Sequence, residues 1–438
     1  MNYFESAVFY QIYPLGLLGA EADNQSVSAP MSRIPKLSSW IQHLCRLGVD
    51  AIYLCPVFES TRHGYDTKNY KETDRRLGTN EQLADFIAKC HDNGIKVVLD
   101  AVLNHVGRDF WAFRDIIEKK EQSPYKEWFN INFSGNSNYN DGFWYEGWEG
   151  HYDLVKLNLG NQEVKNHLFD AVNMWIDYLK IDGLRLDVAY LLPYGFLRDL
   201  CQVCSEKKPD FWIVGEALHG DYRNLMDGGA LDSVTNYECY KGLHSSLNSA
   251  NMFEIAYSLN RQFGCEHWTL YKERHLLNFV DNHDVTRIAT ILEEPRHLPL
   301  IYTLLFTMPG IPCIYYGSEW GIKGDKKDGD DCLRPQIEAP EWNELTDHIS
   351  QLSTIHKENR CLTHGGYKQL HLTNSQYVFE RAIDNERIII AINIAPDEYV
   401  AHFDANAGCG IDAISGEKID FGGGLRMKPY SAVIVLLY

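Results

Sequence analysis

The 438-residue sequence contains no run approaching the roughly 20 apolar residues that a membrane-crossing helix needs, so a membrane span of that kind is excluded. No basic amino-terminal segment leads into an apolar stretch, so no secretory leader is read and a cytoplasmic location is expected. Positive charge is scarce: 41 Lys and Arg stand against 60 Asp and Glu, a net −19. Such a chain is repelled by phosphate backbones, which excludes a general nucleic-acid binder; the charge is read as a solubility device. The 11 cysteines, an odd number, lack the spacing of a disulfide framework and are read as reduced thiols. Cys201 and Cys204 form a CxxC without a second pair, so packing on a helix is expected of them, not half a zinc site. There is no internal repeat and no low-complexity linker. No GxGxxG follows the first strand, which counts against a doubly wound dinucleotide-binding sheet.

What is present is an alternation of short apolar runs and helical periods. Strands are read at VFYQIYPLG from Val8, AIYLCPV from Ala51, KVVLDAVLN from Lys96 and GLRLDVA from Gly183. They continue at WIVGEA from Trp212, SVTNYE from Ser233, LLNFVDN from Leu276 and CIYYGSE from Cys313. Near-continuous apolar strands suit a parallel sheet covered by helices. Amphipathic helices are read at LSSWIQHLCRLG, TNEQLADFIAKCHDNG and NQEVKNHLFDAVNMWIDYLK. The pattern predicts a (β/α)8 barrel over residues 1–105 and 151–360. The stretch 106–150, rich in Trp, Phe, Tyr, Asn and Gly, is too long for an ordinary loop and is read as an inserted subdomain. Residues 361–438 lose the helical period and read as a small antiparallel β module. Aromatic residues make up 13% of the chain, a surplus that suits stacking against flat neutral ligands.

Barrel active sites form at the carboxyl ends of the strands, so polar residues there are candidates. Asp100 lies in DAVLNH with Asn104 and His105 just beyond; Arg185 and Asp187 lie in GLRLD, Glu216 in VGEALH, and His283 and Asp284 in FVDNHD. Arg185 and Asp187 are two apart on one strand and point to the same side, where the guanidinium can keep the carboxylate ionised. A lone acid at a strand end is usually a cap or an ion-pair partner. Several carboxylates and two histidines converging on one face are not.

These segments resemble the ordered signature regions of the α-amylase family of glycoside hydrolases: DAVLNH the first, GLRLD the second, GEALH the third and FVDNHD the fourth. HGYDTKNY at His63–Tyr70 and GIPCIYYGSE at Gly310–Glu319 agree with it, and the match runs from about residue 8 to 335. The resemblance implies a (β/α)8 barrel, a subdomain inserted after the third strand and a carboxy-terminal β-sandwich. It implies a retaining hydrolase of α-glucosidic bonds, mainly α-1,4, in maltooligosaccharides. Asp187 is then the nucleophile, Glu216 the acid and base, and Asp284 the acid that holds ring hydroxyls and favours the oxocarbenium-like state. Arg185 keeps Asp187 charged, His105 and His283 bind hydroxyls beside Asp100, and Tyr65 offers a stacking floor.

LVKLN at Leu154–Asn158 is similar to the MPKLN region of the neopullulanase and cyclomaltodextrinase branch, and EALH at Glu216–His219 to its EIWH, which adds His219 to the substrate-binding set. That branch carries an amino-terminal β module, whereas this sequence begins at the barrel, and Asn69 stands where many relatives have aspartate. Transfer of the glycosyl group to a sugar acceptor, including isomerisation, stays open on the same residues. A non-catalytic glucan binder is the weaker rival because all three acids are present, and a metal-dependent barrel hydrolase lacks an HxH pair on the first strand. Asn104, Asp109, Asp115 and Asp141 could contribute to a calcium site, but they form no clear ligand cluster, and no metal or other cofactor is expected. Short carbohydrates are the expected partners, with cyclodextrins or branched dextrins as candidates.

Overall fold

Eight short parallel strands form the centre of the molecule in the computed structural model, which describes residues 2–437. The expected bounds at 1 and 438, and the last residue of SAVIVLLY, lie outside the described residues. The strands are β1 (Phe9–Ile12), β2 (Ala51–Leu54), β3 (Lys96–Ala101), β4 (Gly183–Leu186), β5 (Trp212–Gly215), β6 (Ser233–Val234), β7 (Leu277–Phe279) and β8 (Ile311–Tyr315). β1 pairs with both β2 and β8, the remaining strands follow in order, and a parallel bridge between Thr235 and Leu277 closes the ring. Each of the eight expected runs supplies one strand. Their residues are buried on both faces, because the barrel interior fills one side and helices cover the other.

Local signals set the helix bounds. Thr79 and Gln82 form a reciprocal cap that starts the helix Asn80–Asp92, and Asn161 accepts from the amides of Glu163 and Val164 to start Gln162–Met174. The helix Ile41–Leu47 stops at Gly48, whose φ of 84° costs a glycine nothing. Two stretches read as single helices are compound. Ile34–Trp40, opened by Pro35, is a 3-10 helix that runs into Ile41–Leu47. Gln162–Met174 widens into a π turn over Trp175–Leu179, where Trp175 stacks on Phe58 and its indole donates to the Tyr70 carbonyl. Among the described residues, no helix is long and apolar enough to cross a membrane.

The stretch expected as a subdomain opens at the strand His105–Gly107 and returns through His151–Lys156, which pair antiparallel. Its aromatic residues divide. Phe113, Phe129, Phe143 and Tyr145 are buried against one another and make a local core, while Trp148 and His151 stack at the edge facing the barrel mouth. Packing therefore takes most of the aromatic surplus here.

The carboxy-terminal module is a sandwich. Strands β9 (Gly366–Leu372), β10 (Gln376–Ile383), β11 (Glu386–Asn393), β12 (Tyr399–Ala401), β13 (Cys409–Asp412), β14 (Lys418–Asp420), β15 (Leu425–Met427) and β16 (Ser431–Leu437) divide into a six-stranded sheet and the β12–β15 pair. Strand alternation assigns the two faces of the large sheet. Tyr377, Phe379, Ile388, Ile390 and Ile392 join the main core, whereas Val378, Ile389, Ala391 and Val435 pack with Leu425 and Met427 of the small sheet.

Candidate active site

The register of the barrel brings the candidate residues together. Arg185 on β4 lies beside Asp100 on β3, and Leu186 beside Gly215 on β5, so Asp187 and Glu216 follow on neighbouring strands at the same height. The Asp187 amide donates to the Ala101 carbonyl at 3.2 Å and the Glu216 amide to the Leu186 carbonyl at 2.9 Å, which continues the ladder to the strand ends. Gly215 permits this close layering, since a Cβ there would stand 2.5 Å from Leu231 and 2.8 Å from Ala189.

One guanidinium organises three carboxylates. Arg185 Nη1 donates to Asp100 Oδ1 at 3.0 Å and to Asp187 Oδ1 at 2.8 Å, and Nη2 lies 2.7 Å from Glu216 Oε1. The sequence reading gave Arg185 to Asp187 alone; the structure shares it among three acids. Tyr53 and Tyr65 donate to Asp100 Oδ2 at 2.9 and 3.0 Å. Burial pushes both phenols up, so they remain donors.

Glu216 Oε2 accepts from the Val188 amide at 2.9 Å. That amide is turned toward it because Val188 adopts a left-handed conformation, φ 43° and ψ 44°, which is rare and costly for a β-branched residue. Burial pushes the Asp187 carboxyl well above its ordinary range; Arg185 opposes this, and Glu216 and Asp100 add to it. Burial raises Glu216 as well, again opposed by Arg185 and reinforced by Asp284. Two such carboxyls against one guanidinium titrate as a pair and keep a single proton to higher pH than an isolated acid would.

Across the mouth, His283 and Asp284 form a second pair, with His283 Nε2 2.9 Å from Asp284 Oδ2. Burial works against the charge on both. The Asp284 carboxylate outweighs it and pushes His283 up to about 10, while His283 and Arg334 hold Asp284 well below the usual carboxylate range. The His283 ring is fixed by the Gln11 amide 2.7 Å from Nδ1 and by stacking on Tyr65, whose ring lies 5.6 Å away at 8°. His105 lies 3.8 Å from Asp187 Oδ2. Burial, with His63 adding to it, pushes His105 down to about 3, so its ring is neutral, and Nε2 has no protein partner among the described residues.

A cavity of about 770 Å³ opens over these groups, with Tyr65, His105, Trp148, Asp187, Glu216 and Asp284 in its wall. His219 is not among the cavity residues. It is exposed on the rim, edge-on to Tyr190, whose ring does line the cavity. Asn69 accepts from the Lys71 amide in a local turn.

Arg334, Tyr53 and Gln11 were not anticipated. Arg334 donates to Asp284 Oδ1 at 3.0 Å and to the His283 carbonyl at 3.1 Å, yet it lies on the loop after β8, and no periodicity links it to Asp284. Tyr53 and Gln11 sat in runs read only as apolar strands; as polar groups in such runs, they carried a signal that went unused.

The acids considered for calcium are engaged elsewhere. Asp141 pairs with Arg108 at 2.8 Å, Asp115 with Lys119 and Ser123, and Asp109 faces Arg114 at 3.8 Å. The 11 cysteines are free thiols; Cys204 is buried and Cys201 half-buried on the helix Tyr194–Lys207.

Residues 34–360 match the model of the alpha amylase catalytic domain. A cyclomaltodextrinase from Thermoanaerobacter pseudethanolicus is 32% identical over 88% of this chain and 69% of its own length. A maltogenic alpha-amylase from Bacillus acidopullulyticus is 31% identical over 92% of this chain and 72% of its own. Among solved structures, the cyclic alpha-maltosyl-(1→6)-maltose hydrolase from Arthrobacter globiformis superposes with a TM-score of 0.84 at 27% identity, covering 99% of both chains. With its closed barrel, inserted β segment, terminal sandwich and matching catalytic-domain model, the chain belongs to the α-amylase family of glycoside hydrolases.

Proposed function

We propose that the protein hydrolyses α-glucosidic bonds, mainly α-1,4, in short maltooligosaccharides, with retention of anomeric configuration. The observation that carries this is the placement of Asp187 and Glu216 at one height on neighbouring strands, both in contact with Arg185, beneath a cavity walled by Tyr65 and Trp148. In this reading an Asp187 oxygen attacks the anomeric carbon while Glu216 gives its proton to the departing glycosidic oxygen. The resulting glycosyl-aspartate is opened by water, whose proton returns to Glu216. For the first step Glu216 must carry a proton. Oε2 is taken by the Val188 amide, so the proton belongs on Oε1, which must then leave Arg185. Asp284, held ionised, accepts from ring hydroxyls and favours the positive charge that develops on the sugar. Neutral His105 offers Nε2 to a hydroxyl, and Tyr65 supports the ring.

The names of the relatives support short or cyclic α-glucans as substrates, and the free thiols support a cytoplasmic location. The test is product profiling on maltoheptaose, cyclodextrin, pullulan, panose and soluble starch. Higher kcat/KM on maltoheptaose or cyclodextrin than on starch is expected; equal or better efficiency on starch per reducing end overturns the size preference.

A further inference from the structure

Beside the catalytic cavity lies a second groove, of about 540 Å³, between the turn that follows Glu216 and the helices Tyr237–Asn248 and Phe253–Phe263. Leu218 and Tyr237 line both spaces, so the groove adjoins the catalytic cavity. The helix Phe253–Phe263 buries Ile255, Ala256 and Leu259, as an amphipathic helix should. Its outward side is unusual: Phe253 and Tyr257, one turn apart, are 47% and 66% exposed. Packing explains neither ring. Around Tyr257 the groove presents hydrogen-bonding groups at several heights: the Glu238–Arg261 ion pair, Lys241, Glu254 and His219.

We propose that this groove is an outer subsite for the part of an α-glucan that departs when the bond is cut, with Tyr257 as its stacking platform. This rests on the function proposed above. Direction comes from the order of residues. Glu216, the proton donor to the leaving oxygen, is followed after Ala217 by Leu218 and His219, which line the groove, whereas Tyr65 lines the catalytic cavity and not the groove. A sugar ring has an apolar face that suits an exposed aromatic side chain and hydroxyls that suit fixed charged pairs, and the groove supplies both. The same surface would seat an acceptor sugar during transfer. It also gives His219 a place: it meets the substrate here, outside the catalytic cavity.

The experiment compares wild type, Tyr257→Ala and Tyr257→Phe on maltotriose, maltopentaose, maltoheptaose and an aryl α-maltoside whose leaving group is a single ring. Tyr257 is exposed, so folding should survive both changes. Tyr257→Ala should lower kcat/KM on maltoheptaose about three- to tenfold, mainly through KM, leave the aryl maltoside unchanged, and be rescued in Tyr257→Phe. An unchanged maltoheptaose value, or an equal loss on all four substrates, overturns the proposal. Maltoheptaose binding, measured calorimetrically in a Glu216→Gln background, separates the two readings. If wild type turned over none of these sugars, the proposed function would fail; weaker binding in Tyr257→Ala would still support the groove, and equal binding would refute it.

Discussion

Arg185 Nη2 lies 2.7 Å from Glu216 Oε1 while Nη1 of the same guanidinium lies 2.8 Å from Asp187 Oδ1. The proposed acid and the proposed nucleophile are thus tied to one cation, and Asp100 and the Val188 amide fix the remaining directions. On the proposed mechanism, proton placement in this trio decides activity.

On the proposed mechanism the active form carries one proton on the Asp187–Glu216 pair. Burial raises both carboxyls, so that proton should be lost only well above the ordinary glutamate value of about 4.3. A bell-shaped kcat/KM profile with its alkaline limb displaced toward neutral pH is expected. An alkaline limb at the ordinary carboxylate value would contradict the pairing.

Arg185→Lys should fold but lose kcat/KM by about 10²- to 10⁴-fold, because an ammonium cannot reach all three carboxylates in the plane a guanidinium provides. Arg185→Met should fold only at low pH. Without the cation, the buried acids resist ionisation, so thermal stability measured by circular dichroism should fall as pH rises from 5 to 8. A pH-independent melting temperature would count against the shared cation.

The His283–Asp284 pair makes a separate stability prediction. His283 is raised from 6.5 to about 10 in the folded state, so its contribution is fully present below pH 6.5 and is lost as pH climbs through 10. The Asp284 side chain is 36% exposed, so solvent weakens the pair relative to a buried one. The melting-temperature gap between wild type and His283→Asn should therefore be wide at pH 6 and narrow at pH 10. A gap that stayed constant over that range would show that packing, not charge, holds the histidine.

Dialysis against a calcium chelator should leave activity unchanged, since Arg108, Lys119 and Arg114 already face the candidate acids. Loss restored by calcium but not by magnesium would show that these ion pairs open to admit a metal.

The eight strands were legible because each is a short apolar run, and the barrel-end acids because they interrupt those runs. The first half of LSSWIQHLCRLG became a 3-10 helix through Pro35, and the π turn at Trp175 depends on Phe58 and Tyr70, which no local pattern places nearby. Arg334 was invisible for the same reason: its contact with Asp284 spans 50 residues and two strand-end loops. The aromatic surplus suits stacking against flat ligands, yet in the inserted segment core packing takes most of the rings, leaving Trp148, with His151 beside it, at the cavity. The left-handed Val188 carried no sequence signal, because a valine there reads as strand.

The central claim is that Asp187 attacks the sugar and Glu216 protonates the leaving oxygen, which requires two inversions and carboxyl groups about 5–5.5 Å apart. Proton NMR of the products in the first minutes of maltooligosaccharide hydrolysis reads this directly. The α-anomer should appear first and mutarotate afterwards; an initial β-anomer would mean a single displacement by water and would remove Asp187 from the role of nucleophile.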